Sequence, residues 1–181
     1  DSSLLSKNSG LNNFEIVNVI EIAEKDDEIE TILIDISLMN LSATDANEIG
    51  ESLNSFRSSG KKVITYGDFY FQNQYLLASY SDEIILNPFG LVYLEGYKNY
   101  RFYLKEALNK LNINVNTFVA GDYKSASEIF TNESMSENSK SESMRFLSAL
   151  WNEWIKNVSS NREKEISIKT EHYIDTVSYT N

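Results

Sequence analysis

The chain has 181 residues, 41% of them hydrophobic and 12% aromatic, enough for one ordinary domain with a sizeable core and too apolar for a disordered segment. A formal net charge of −11 repels phosphate and sets nucleic acid aside as a partner. The absence of cysteine removes disulfides, thiolate catalysis and zinc–sulfur sites together, and one proline with seven glycines argues against a loop-rich module.

Residues 1–13 are polar and rich in Ser and Asn, and read as a frayed terminus or loop without a secretory signal pattern. The chain begins at Asp1 rather than at a methionine and reads as a piece of something longer, with any membrane anchor expected outside it. From Asn13 to Lys25, Phe14, Val17, Ile20 and Ala23 recur at helical spacing. The acidic run Glu24 to Glu30 follows as a solvated turn. Thr31 to Ile36 is almost wholly apolar and predicts a buried parallel strand. A second helix carries Ala43, Ala46, Ile49, Leu53 and Phe56 on one face, with Ser42 and Asp45 spaced to cap its start and Gly60 placed for a left-handed end.

Lys62 to Tyr66 predicts the next strand and Gln72 to Tyr80 a helix. Glu83 to Leu86 predicts a third strand, stopped by Asn87-Pro88. Tyr100 to Leu111 has a helical pattern, and Val115 to Val119 alternates before Gly121. The clearest helix spans Glu137 to Asn161, with Met144, Leu147, Trp151, Trp154 and Val158 in one stripe and a capping-box match at Ser134 and Glu137. This stripe reads as core. The tail beyond Arg162 is polar, with a short helix expected at Glu171 to Val177. Alternating strands and helices predict an α/β fold whose mainly parallel sheet is flanked by helices. The expected organisation is one domain over 14–162, followed by a polar tail over 163–181.

The single histidine, His172, lies in the polar tail, so a Ser-His-Asp triad and a histidine-rich metal site are both poor readings. No nucleophile elbow, phosphate loop or dinucleotide fingerprint occurs, so no metal or cofactor is expected. Ser58-Ser59-Gly60-Lys61 fits Ser-x-x-Lys, but at a helix end rather than a helix start, and reads as coincidence. Lysine is left as the unusual base. It works only when neutral, so burial or a like charge must lower a pKa of ordinarily about 10.4. Nothing in the pattern alone ranks one lysine above another.

Gly121-Asp122-Tyr123-Lys124-Ser125-Ala126-Ser127-Glu128-Ile129-Phe130 resembles a segment of the signal peptide peptidase A family, also called protease IV. The resemblance continues through Asn132-Glu133-Ser134-Met135-Ser136 and Leu150-Trp151. Upstream it runs through Phe56 to Lys61, Tyr66-Gly67-Asp68, Gln74 to Ser79, Asp82 to Gly90 and Leu94-Glu95-Gly96. It covers most of the chain from Phe14 to Arg162. The long form of the family carries two tandem copies of a crotonase-like domain, related to the Clp protease subunit. The first copy supplies a lysine general base and the second a serine nucleophile. This chain resembles the first copy, and the resemblance places Lys124 as the catalytic lysine.

The departures fit that placement. Phe71-Gln72-Asn73-Gln74-Tyr75 stands where the second copy has its serine, with Gln72 at the serine position, and Ser37 to Thr44 lacks the Gly-Gly turn. Glu128-Ile129-Phe130 replaces the usual Glu-Pro-Phe. The resemblance implies a Ser/Lys-dyad endopeptidase that degrades signal-peptide remnants, with the serine on a second domain or a neighbouring subunit. It also implies a homo-oligomer, often a tetramer in the long form, anchored to the membrane with its catalytic domain outside the cytoplasm. Two other readings stand beside it. One is a structural or assembly domain without catalysis. The other is a crotonase-type acyl-CoA enzyme, disfavoured by the lack of glycine at the expected turn.

Overall fold

The computed structural model describes residues 12–37, 39–117 and 125–162, and the backbone of 174–180. The chain divides into two units, Asp1–Leu94 with Asn157–Ile166, and Glu95–Lys156 with Ser167–Asn181.

In the first unit, α1 (Asn13–Lys25), α2 (Ala43–Ser58) and α3 (Gln72–Ala78) accompany a three-stranded sheet of β1 (Thr31–Asp35), β2 (Lys62–Phe71) and β3 (Glu83–Tyr93). The strand order is β1-β2-β3 and both pairings are parallel, as the alternation of elements predicts. Caps fix the helix starts. Asn12 and Glu15 form a capping box on α1, and Ser42 and Asp45 form the expected one on α2. Gly60 ends α2 at φ +89°, a conformation that costs glycine little.

The helical stripe of α2 is fully used. Ala46, Ile49, Leu53 and Phe56 are buried against Val63 and Tyr70 of β2 and Leu76 and Leu77 of α3, and each large apolar side chain contributes about 1.5–3 kcal/mol. A glycine is needed at position 50, because a Cβ there would stand 2.5 Å from the Tyr80 ring. That ring's hydroxyl donates to Asn47 Oδ1 at 3.1 Å.

Two expectations need correction here. The apolar run at β1 is not buried on both faces. Ile32 and Ile34 line an apolar cleft of about 170 Å³ with α1 and α2 residues, whereas Leu33 is 62% exposed. Tyr66, Phe69, Phe71, Ile85, Leu91 and Tyr93 are also exposed on β2 and β3. Nor does Asn87-Pro88 end β3, which resumes its pairing at Leu91 opposite Phe69. The register shifts between Gly67 and Phe69, so Pro88 falls where no ladder N–H is needed. Gly90 lies in that irregular stretch, where a Cβ would meet the Asp68 carbonyl oxygen at 1.9 Å.

The second unit holds β4 (Tyr97–Tyr103), α4 (Lys105–Lys110), α5 (Ser125–Thr131), most of α6 (Glu137–Asn161) and β5 (Ile174–Thr180). β4 pairs in parallel with β5, from Tyr97 opposite Ile174 to Tyr103 opposite Thr180. The helix expected from Tyr100 therefore begins only at Lys105, and the helix expected at Glu171 to Val177 gives way to strand from Ile174. The aromatics Tyr97, Tyr100, Phe102 and Tyr103 are good strand formers, and the exposure of β4 alternates with a period of two. Residues 115–117 of the alternating Val115–Val119 segment have no regular structure, and 118–119 lie outside the described residues. Asn112, at φ 54°, ends α4 in a Schellman turn, with Asn112 N–H on Asn109 O and Ile113 N–H on Leu108 O.

α6 appears where the stripe places it. Leu147, Trp151, Trp154 and Val158 are buried, and the Trp151 and Trp154 rings stack at 5.0 Å. Tyr97 meets Trp151 edge-on at 6.3 Å. No described helix is long and apolar enough to cross a membrane.

The turn between α3 and β3 ties the first unit together. Asp82 accepts from Val63 N–H at 2.8 Å and from Arg57 Nε at 2.8 Å. Burial pushes the Asp82 carboxyl up, but those hydrogen bonds and the charges of Arg57 and Lys62 outweigh it and hold the group below its ordinary 3.8. The unfolded chain therefore binds this proton more readily. The stabilisation is complete above pH 3.8 and is lost as pH falls through the lower folded value. Asp82→Asn is expected to cost about 1–2 kcal/mol at pH 7. It should also flatten the acid limb of stability, as read by urea unfolding at pH 7 and pH 3; an unchanged acid limb counts against this assignment.

Candidate functional site

Lys124 lies outside the described residues, as does His172. What is described is the helix that follows Lys124 directly, α5, and, in the other unit, the segment corresponding to the nucleophile region.

That second region is built at the C-terminal end of β2. The strand runs straight into α3, so Gln72 is the first residue of a helix and is buried, with 5% exposure. The next two side chains bind the β1–α2 loop. Asn73 Nδ2 donates to Leu41 O at 2.9 Å, and Gln74 Nε2 donates to Ile36 O at 3.0 Å and Met39 O at 2.8 Å. Gln74 Oε1 also accepts from Phe71 N–H at 2.9 Å, fixing the helix start. The two segments in which the sequence departs from a serine-bearing copy, the start of α3 and the loop after β1, are thus joined through Asn73 and Gln74.

The loop itself turns its donors inward. Ile36 N–H bonds to Tyr66 O, Ser37 N–H to Asp35 Oδ1 and Met39 N–H to Ile36 O, at 3.1, 3.0 and 3.1 Å. Oxyanion stabilisation needs backbone N–H groups aimed at the reacting oxygen. Ile36 N–H is committed to β2, and those of Ser37 and Met39 to the loop itself, so these three form no oxyanion hole. Asp35 also accepts from the Tyr66 hydroxyl at 3.0 Å. Hydrogen bonds from Ser37 come first in holding its carboxyl below the ordinary range, with Tyr66 adding to them. Tyr70 points inward to Ile85 O at 2.9 Å, and burial, then the Asp35 charge, pushes its hydroxyl up to about 12. Neither group is placed to act as a base near neutral pH.

Ser58 and Lys61 are not a dyad. Ser58 Oγ donates to Asn54 O at 2.8 Å, in the manner of a helix-end serine. Lys61 Nζ donates to the carbonyls of Ala23, Glu24 and Asp26 at 2.7, 2.8 and 2.7 Å. It thereby caps the C-terminus of α1, where cationic charge is favourable.

Sequence reasoning missed the polar cluster at α5. The N-cap of α6 is Ser136, not Ser134: its Oγ accepts from Ser139 N–H at 3.2 Å. The carboxylate that would complete a capping box comes from Glu128 on α5 instead. Glu128 accepts from Ser136 Oγ at 2.6 Å, Ser139 Oγ at 2.9 Å and Ser136 N–H at 3.3 Å. Burial pushes this carboxyl up, and the serine hydrogen bonds together with the Arg101 charge outweigh it and hold it below its ordinary value. A capping box is recognised by an acid three residues after the cap. Here the acid lies eight residues before it, a spacing that carries no local signal.

A family model described as "Peptidase family S49" matches residues 55–172. The chain belongs to peptidase family S49. It is 39% identical over 155 residues to a protein named "Protease 4" from Haemophilus influenzae, covering 84% of this chain. It is 39% identical over 153 residues to the "Protease 4" of Salmonella typhi, covering 83% of the chain. The chain spans about a quarter of the length of these curated relatives, 25% and 24%. The α/β fold with a mainly parallel sheet is that of S49 peptidases, which have the crotonase/Clp-protease-like fold. The matched span includes both the α3 start and the segment leading into α5.

The geometry separates support from chemistry at Lys61. Lys61→Met should lower stability by about 1–3 kcal/mol, the value of hydrogen bonds from a charged donor. Peptide turnover by the folded full-length protein should be unchanged. Loss of turnover without a fall in melting temperature would move Lys61 into the reaction.

Proposed function

We propose that this chain is the lysine-bearing, N-terminal copy of a tandem S49 peptidase, in which Lys124 is the general base and the serine nucleophile comes from a second domain or a neighbouring subunit. The observation that carries the reading is Gln72. It occupies the first turn of α3, where the resemblance puts the serine, and it has no nucleophilic hydroxyl. The Gly121–Phe130 segment around Lys124 supports the other half of the assignment, within the span matched to the family.

The chemistry divides accordingly. The neutral lysine amine takes the serine hydroxyl proton as the serine oxygen bonds to the scissile carbonyl carbon. The tetrahedral oxyanion is held by backbone donors outside the β1–α2 loop described here. The lysine ammonium then gives its proton to the departing amine nitrogen as the C–N bond breaks. Water, deprotonated by the same lysine, releases the acyl group and restores the serine. The substrates in this reading are cleaved signal peptides, apolar and extended. The protein works as a homo-oligomer anchored to the membrane, with its catalytic domain outside the cytoplasm.

In the full-length parent, Lys124→Ala is expected to lower turnover by about 10²–10⁴-fold, the usual worth of a positioned general base, with folding and assembly intact. The 181-residue chain alone should not hydrolyse peptides. Unchanged turnover in the variant would make this domain a scaffold, the second reading of its sequence.

A further inference from the structure

We propose that the apolar cleft between α1 and β1 is a docking site for signal peptides: it takes one apolar side chain of the peptide's hydrophobic stretch, while the acidic surface around it holds the peptide's basic lead. This rests on the reading of cleaved signal peptides as the substrates. The cleft lies wholly within the first unit and is lined by described residues alone. Its lining side chains are aliphatic except for the Met39 thioether, so nothing in it would orient a polar group. Ile20, Ile49 and Leu77 are buried and form its floor, and Val19, 53% exposed, stands at its mouth. Its volume is about 170 Å³. A dry apolar cavity of about 150 Å³ takes benzene, so this one holds a single leucine- or phenylalanine-sized side chain.

The walls are held by polar contacts outside the cleft. Asn12 and Glu15 cap the start of α1, Lys61 binds three carbonyls at its end, and Asn13 Nδ2 donates to Asp45 on α2. On the other side, Gln74 Nε2 donates to Met39 O at 2.8 Å and fixes the β1–α2 loop. A pocket already formed needs no ordering before it binds.

Charge selects the partner. Residues 12–58 supply every lining residue except Leu77, and they contain eleven Asp and Glu against two cations, Lys25 and Arg57, a net charge of −9. The rest of the chain nearly balances, with sixteen acids and fourteen bases. Glu15 lies one helical turn from Val19, and Ile22, 59% exposed, lies one turn beyond it. A second copy would bring like charge against like, and an anionic bilayer is repelled in the same way. The complementary partner is apolar and cationic at once. A signal peptide is built in that manner, with a positively charged lead followed by roughly 7–15 apolar residues. Such a site acts on binding, so its loss raises KM and leaves kcat unchanged.

The test titrates the 181-residue chain with fluorescent synthetic peptides and reads anisotropy at low and at high salt. One peptide has a lysine-rich lead and a leucine run, the second an acidic lead and the same run, and the third a lysine-rich lead with serine in place of leucine. The first is expected to bind at least about tenfold more tightly than the other two, and to weaken as salt screens the acidic surface. Val19→Lys, at an exposed position, should weaken it by about tenfold or more. The peptide comparison leaves the protein unaltered, so it decides the matter even where Val19→Lys fails to fold. The docking site is overturned if the first peptide binds no more tightly than the serine peptide, or binds folded Val19→Lys equally well. It is overturned too if Val19→Lys changes the oligomeric state in sedimentation and not the peptide affinity, which makes this face a contact between copies. Turnover of the first peptide by the full-length parent separates the two readings. Cleavage with the same KM in Val19→Lys removes the docking site and keeps the substrate assignment. Binding at the cleft without cleavage by the parent keeps the docking site and removes the substrate assignment.

Discussion

The first unit depends on the four-residue turn from Ser79 to Asp82. Each parallel crossover must return the chain to the sheet without leaving polar backbone unpaired, and this turn does so by gathering every neighbouring element. Arg57 reaches it from α2, donating to Tyr80 O at 3.1 Å and pairing with Asp82 at 2.8 Å. Thr65 on β2 shares a buried hydrogen bond with Ser81. From the end of α6, Asn161 donates to Ser79 Oγ at 2.9 Å and Arg162 to Ser81 O at 2.7 Å. Ser79 and Ser81 are buried, so each of these bonds is made where a missing partner would cost about 1–3 kcal/mol. The turn joins the end of α3 to the start of β3, which enters the ladder at Glu83 opposite Ile64.

The elements legible in the sequence were those with one dominant period. α1, α2 and α6 announce themselves by apolar residues three and four apart; burial follows the stripes of α2 and α6, whereas on α1 Ile20 and Ala23 are buried and Phe14 is 76% exposed. The extent of β3 was not legible because Pro88 reads as a stop unless the ladder is known to shift there. β4 was misread because its aromatic residues fit a helical face almost as well as an alternating one, and only pairing with β5, more than seventy residues away in sequence, decides between them. The open face of the sheet was hidden for a related reason. A continuous apolar run such as Ile32-Leu33-Ile34 looks the same whether one face or two are covered.

The site was legible unevenly. The helix start at Gln72 could be read because an apolar helical pattern follows the strand there directly. The consequence for the loop could not, since nothing in Ser37–Thr44 says that Asn73 and Gln74 will bind its carbonyls. Glu128 could not be read either. Its partners are eight and eleven residues away across a turn, and the local pattern points to Ser134, which is not the cap.

The start of α3 and the β1–α2 loop bear on each other through what each half of a dyad requires. A nucleophile needs a helix start with a free hydroxyl beside a loop whose N–H groups face the substrate. In this chain the side-chain amides of Asn73 and Gln74 stand at the helix start and bind the loop's carbonyls, and the N–H groups of Ile36, Ser37 and Met39 are already bonded. A base needs no such cradle. It needs to come within hydrogen-bond reach of the hydroxyl and to be held in a solvent-poor setting that keeps it neutral. On the proposed division of the dyad, the absence of a hydroxyl at Gln72 therefore leaves the demands on the base untouched. Substitutions that stiffen the β1–α2 loop cost a base-bearing domain nothing, while the same substitutions in a serine-bearing domain remove the oxyanion donors.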